Sequence, residues 1–219
     1  MSISASRFIL IFSLLGLMMA CQTSGPKTVP TRDPADGPGT VIHDSPELHD
    51  TESLSFKSHP NYVSVEIPFS PVQSIYQQVQ TQTGLTLQNR GEAHITVITP
   101  PEFSELKSKL TMQDIEMLQG SGSLQKILFT IECVGMVQKA AAQVPLKAFF
   151  LVVKSVDLLN FRRRILEKFV SAGGSGHRFD AENFLPHITL GFTQRDLHEA
   201  DGIHKDTTSC LPEFQIVSP

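Results

Sequence analysis

The stretch "GEAHITVIT", residues 91 to 99, sets His94 two residues before Thr96, and "LPHITLGF", residues 185 to 192, sets His187 two residues before Thr189. An imidazole titrates near neutrality and can take up a proton or give one away. A threonine hydroxyl can donate a hydrogen bond to an anionic oxygen and hold the group that carries it. Two of each, brought together, could move two protons across one bound anion. Side chains alternate along a β-strand, so His94 and Thr96 share one face while Ile95 and Val97 take the other. His187 and Thr189 repeat the arrangement, with Ile188 and Leu190 opposite.

The bare spacing carries little information. "HDS" at His43 and "HDT" at His49 satisfy it too, but with a charged middle residue and no strand pattern around them. Requiring an isoleucine in the middle and an aliphatic residue after the threonine makes a chance match rarer, on the order of one in a thousand per histidine. Two such matches among eight histidines are therefore hard to assign to coincidence. Taken singly, each pair reads better as a core histidine satisfied by a neighbouring threonine. The case for function rests on the pair.

The elements that must position these residues can be read from Asn61 onward. "NYVSVEI" alternates as a strand. "SPVQSIYQQVQTQTG" reads as a helix with Ser70 as N-cap, Pro71 in the first helical position, a stripe of Val72, Ile75 and Val79, and Gly84 as the stop. After "HITVIT" come two polar helical stretches, "PPEFSELKSKL" and "TMQDIEMLQG", the second with Thr111 and Asp114 in capping-box positions. "KILFTIECVGMVQ" and "LKAFFLVVKS" read as strands. "VDLLNFRRRILEKFVSAGG" is a helix with Leu158, Leu159, Ile165, Leu166, Phe169 and Val170 on its apolar stripe and Gly173 as cap. Strand, helix, strand thus occurs twice, and each time the closing strand opens on His-Ile-Thr. The pattern predicts an α+β fold with an internal duplication, two lobes facing each other.

Paired "HITV" and "HITL" motifs about one lobe apart resemble those of the 2H phosphoesterase superfamily, whose members include cyclic phosphodiesterases, 2'-5' RNA ligase-like proteins and a Swiss army knife RNA-repair-like group. The resemblance runs from Asn61 to the C-terminus. It implies two mostly antiparallel sheets flanked by helices with a central cleft, His94 and His187 as catalytic residues, and Thr96 and Thr189 as phosphate-binding residues. The implied substrate is a 2',3'-cyclic phosphate or a 2'-5' phosphodiester of a nucleotide or RNA end. No cofactor is expected, and the carboxylate and histidine spacing of a two-metal phosphatase is missing, so no metal is expected either. The rival reading is a non-catalytic binding module for a phosphorylated ligand; a third is a purely structural envelope protein.

Other features bound the setting. "MSISASRFILIFSLLGLMMAC" has one basic residue, Arg7, an apolar run from Phe8 to Met19 and then Ala20 and Cys21. The run is shorter than the roughly 20 residues of a spanning helix and reads as a signal peptide over residues 1–20. The box before Cys21 resembles a bacterial lipobox, which implies lipidation of Cys21 and, with Gln22 following, an outer-membrane lipoprotein facing the periplasm. Residues 21–58 are rich in Pro, Gly, Ser, Thr and Asp and read as a flexible tether, with the folded domain over 59–219. Cys133 and Cys210 could pair in an exported protein, or Cys133 could be a buried free thiol.

Lys and Arg nearly balance Asp and Glu in the folded part, and the whole chain has a formal net charge of −4. That balance argues against a long nucleic-acid partner and for a small substrate. A monomer is expected. "RRR" at 162 to 164 reads as a solvated helix face. Phe179, Phe184, Phe192 and Tyr62 read as packing residues, and His177, His198 and His204 as surface residues.

Overall fold

The computed structural model describes residues 39–120 and 127–217. The expected signal peptide and the expected lipidation site, Cys21, lie outside the described residues. In chain order the strands are β1 (Thr40–His43), β2 (Ser55–Ser58), β3 (Val63–Ile67), β4 (Ala93–Ile98), β5 (Thr130–Lys139), β6 (Leu146–Lys154), β7 (His187–Phe192) and β8 (Phe214–Val217). The helices are α1 (Phe69–Thr83), α2 (Pro100–Leu106), α3 (Met112–Gly120) and α4 (Val156–Ser171).

Six strands form one antiparallel sheet in the order β2-β3-β4-β7-β6-β5, and β1 pairs with β8 in a small parallel sheet. The expectation of two separate main sheets is therefore corrected: β4 and β7 pair at Ile95 and Ile188 and join both halves into one sheet. Strand periodicity says which face is apolar, not which edges meet. Both strand, helix, strand units are present, as β3-α1-β4 and β6-α4-β7, and their closing strands are these two central neighbours.

The helices begin and end where local chemistry permits. α1 buries Pro71, Val72, Ile75 and Val79, as its stripe predicts, and ends at Gly84 with φ 65. It starts at Phe69 with Pro68 as N-cap and no side-chain cap, so Ser70 lies inside the helix. Thr99 and Glu102 form a reciprocal capping box that opens α2. Thr111 and Asp114 exchange bonds in the same manner before α3. α4 is capped by Ser155, whose hydroxyl accepts from the Leu158 amide.

The two sheet faces are unlike. Alternate residues of β6, Phe149, Leu151 and Val153, join the large core with Ile95, Ile188 and the buried faces of α1 and α4. The intervening Ala148, Phe150 and Val152 join a smaller cluster with Cys133, Val137, Phe192 and Leu197. The C-terminal segment covers this second face, fastened by a disulfide between Cys133 on β5 and Cys210, with Cα atoms 5.7 Å apart. The bond spans a sequence separation of 77. Chain-entropy arguments give such a closure a stabilisation on the order of 4 kcal/mol.

A second correction concerns the tether, expected to run to residue 58. Residues 40–58 belong to the fold: β1 pairs with β8, β2 pairs with β3, and Ile42 and Leu48 are fully buried. Lone apolar anchors between Pro, Asp and Ser give no period to read.

Candidate active site

β4 and β7 run antiparallel at the centre of the sheet. Stepping one residue either way from the Ile95–Ile188 pair brings His94 level with Thr189 and Thr96 level with His187. β6 continues the same face, with Phe150 opposite Thr189 and Val152 opposite His187. Ile95 and Ile188 go to the main core, so all four polar side chains stand on the other side of the sheet. They line one cavity of about 550 Å³. That volume lies within the range of small-molecule sites.

The two histidines sit in different fields. His187 Nδ1 donates to the Leu185 carbonyl at 2.8 Å. A carbonyl can only accept, so Nδ1 carries the hydrogen and Nε2 of the neutral ring keeps a lone pair. Burial pushes this imidazole down to about 3, and the neighbouring Lys205 ammonium adds to the effect. His94, half-buried, is lowered by burial too, but the carboxylates of Glu66 and Glu92 oppose the shift.

Behind each histidine stands a group that the sequence did not announce. Glu66 is the register partner of His94 on β3. The Ser64 hydroxyl donates to Glu66 Oε1 at 2.7 Å, and His59 Nε2 lies 3.1 Å from that hydroxyl while its ring stacks on Tyr62 at 3.8 Å. On the other side, Lys205 Nζ lies 2.8 Å from Asp196 Oδ1 and 3.2 Å from Thr189 Oγ1. Asp196 also accepts from the Leu197 amide at 2.8 Å. A cross-strand position facing His94 could have suggested Glu66. Lys205 carried no signal, because it stands in an irregular segment.

Arg162 corrects the reading of "RRR" as a solvated face. It is 1% exposed, and its guanidinium grips both Glu102 carboxylate oxygens at 2.7 and 3.1 Å. It also donates to the carbonyls of Val97, Ala181, Asp180 and Asn183 and lies 4.9 Å from the ring centres of Phe179 and Phe184. Arg163 does face solvent, paired with Glu182. The stripe that is buried on α4 is Leu158, Phe161, Arg162, Ile165 and Phe169, while Val170 is exposed.

The aromatic residues divide. Phe179 is buried against Arg162, whereas Tyr62, Phe184 and Phe192 line the cavity. His198 lines it as well, although its side chain is largely exposed; His177 and His204 are at the surface and absent from its lining. His43 and His49 are absent from that lining: His49 pairs with Asp44 at 2.5 Å and packs on Phe129. Among the described residues no group of three or more His, Cys, Asp or Glu is placed to hold a metal ion.

A mixed α+β domain whose two His-x-Thr strands lie side by side under one cavity fits the two-histidine phosphoesterase class. The chain belongs to the Swiss Army Knife 2H phosphoesterase domain family, whose model matches residues 61–198. No curated protein and no solved structure matches the chain. Family membership gives phosphoester hydrolysis as the general activity.

The depressed His187 has a consequence for acid stability. The unfolded chain takes up this proton below about pH 6.5, whereas the folded chain resists it down to about pH 3. The unfolded state therefore binds more protons in that window, and stability present above pH 6.5 is lost as pH falls. The slope approaches about 1.4 kcal/mol per pH unit for one proton. Urea unfolding of the wild type and His187→Asn from pH 6.5 to 4 should show a steeper decline in the wild type. Parallel curves would mean that His187 does not carry this linkage.

Proposed function

We propose that the protein hydrolyses a 2',3'-cyclic phosphate or a 2'-5' phosphodiester of a nucleotide or RNA end without a metal, using His94 and His187 as acid–base catalysts. The observation that carries this reading is the arrival of both imidazoles and both threonine hydroxyls at one cavity from distant parts of the chain. Attack by water forms a P–O bond while one imidazole accepts the water proton. The P–O bond to the ribose oxygen breaks as the other imidazole supplies its proton. Thr96 and Thr189 donate to non-bridging oxygens and hold the phosphoryl group in line. His187, with its free Nε2 beside a cation, suits the base; His94, flanked by carboxylates, suits the acid.

The palindromic strand order about the β4–β7 junction supports a duplicated origin for the two halves, with the cavity as the cleft between their motifs. The setting we infer is the bacterial cell envelope, with the signal peptide removed and Cys21 lipidated on an outer-membrane protein facing the periplasm. The Cys133–Cys210 disulfide supports an oxidising compartment. No helix of the described residues is long and apolar enough to cross a membrane.

The test is incubation of the purified chain with 2',3'-cyclic nucleotides and 2'-5'-linked dinucleotides in EDTA. Ring opening or cleavage that persists in chelator is expected. Activity that disappears with EDTA would overturn the metal-free mechanism, and tight binding without product across the panel would favour the binding module.

A further inference from the structure

Lys205 is a buried cation in the wall of the cavity, bonded to the motif residue Thr189, and it comes from outside the segment that the family model matches. It is 4% exposed. An ammonium is seldom buried to that degree without a partner, and Asp196 supplies one. The pair is held from several sides. Asp201, three residues past His198, takes Arg195 on both carboxylate oxygens and Lys139 at 3.0 Å, and Cys210 is bonded to β5. Leu197 is fully buried between these anchors.

The donors of Lys205 can be counted. An ammonium has three N–H groups. One goes to Asp196 Oδ1 and one to Thr189 Oγ1, which leaves a third without an acceptor among the described residues. The bond to Thr189 occupies an acceptor position of that hydroxyl, so its own hydrogen is left to be donated. The resting acceptor for it, Asp196 Oδ2, stands 3.4 Å away, a long bond that an anionic ligand would outcompete. The ring of Phe150 packs beneath, 5.6 Å from Nζ and edge-on to His187. Gly135 makes room for that ring, since a Cβ there would fall 2.5 Å from Phe150 Cε2.

We propose that Lys205 is a third catalytic residue, donating its unspent N–H to a non-bridging phosphoryl oxygen next to Thr189 while Asp196 keeps it in place. This rests on the hydrolytic reading above. The charges are arranged unevenly: the Lys205–Asp196 pair acts on His187, whereas Glu66, Glu92 and Arg90 act on His94. An ammonium fixed in a dry wall needs no reorganisation when charge develops on the phosphoryl group.

Lys205→Met alone strands a buried carboxylate, so the decisive protein is the double variant Lys205→Met/Asp196→Asn, checked for an unchanged fold by circular dichroism and melting. Its kcat on a 2',3'-cyclic nucleotide should fall about 10²-fold to 10³-fold. Inorganic phosphate, measured by calorimetric titration, should bind at least tenfold more weakly. Lys205→Arg should recover part of both. A folded double variant with kcat and phosphate affinity within about threefold of wild type would overturn the assignment while leaving the hydrolytic reading intact. A wild type that binds phosphate through Lys205 but turns over no substrate in the panel would instead sink the hydrolytic reading.

Discussion

His94→Ala and His187→Ala should each lower kcat/KM on a cyclic nucleotide by about 10²-fold to 10⁴-fold, the range supplied by a positioned acid or base. In the proposed mechanism one proton leaves water and one reaches the leaving oxygen, so the loss of either imidazole interrupts the same step. The double variant should therefore fall little below the worse single one, as groups that act together are not additive. Thr96→Val and Thr189→Val remove a hydrogen bond to a charged group and should cost less, about 10-fold to 100-fold. Steady-state kinetics on the four variants checks this order. A His94→Ala or His187→Ala protein within tenfold of wild type would remove that residue from the chemistry.

The same picture fixes the sign of the pH dependence. The kcat/KM profile reports the free enzyme. Burial lowers both histidines, His187 the more strongly because Lys205 adds to it, whereas Glu66 and Glu92 work against the shift at His94. A state with His94 protonated and His187 neutral is therefore favoured on the acid side of 6.5, with an alkaline limb set by loss of the His94 proton. Glu66→Gln should move that limb further to acid.

Arg162→Met should be strongly destabilising. Five hydrogen-bonding partners converge on one guanidinium: the Glu102 carboxylate and the carbonyls of Val97, Asp180, Ala181 and Asn183. Methionine fills the space but leaves those acceptors dry and a carboxylate unpaired. Breaking a buried pair in this way costs about 3–5 kcal/mol. For a domain of this size the melting temperature should drop by roughly 10 °C. Arg162→Lys keeps the charge but not the planar fork and should fall between. A melting curve within 2 °C or so of wild type, on the scale of a sub-kcal/mol change, would show that the network contributes nothing net.

The sequence made the two motifs legible because a strand has a strict period of two, and His94, Thr96, His187 and Thr189 do line one cavity. The helices were legible through most of their stripes and caps, including the Thr111–Asp114 box and Gly84, but not through Ser70, which lies inside α1, or Val170, which is exposed. Arg162 was in principle readable: it stands at the 3.6-residue spacing between Leu158, Phe161, Ile165 and Phe169. Its charge hid it, and the flanking arginines made the run look like a face rather than one inward residue. Lys205 and Asp196 were not readable, since nothing periodic ties them to β7. β1 was missed because its partner, β8, lies at the other end of the chain.

The meeting of Ile95 with Ile188 has a kinetic side. α2, α3, β5, β6 and α4 all intervene between the strands that carry them. A contact that closes so long a loop forms slowly, because the chain entropy must be given up before the pairing rewards it. β3, α1 and β4 can assemble early around one His-Thr pair, and β6, α4 and β7 around the other. Neither assembly by itself holds both imidazoles. On the proposed mechanism a nascent or truncated chain is thus chemically silent, however much secondary structure it has gained, until the two central strands zip together.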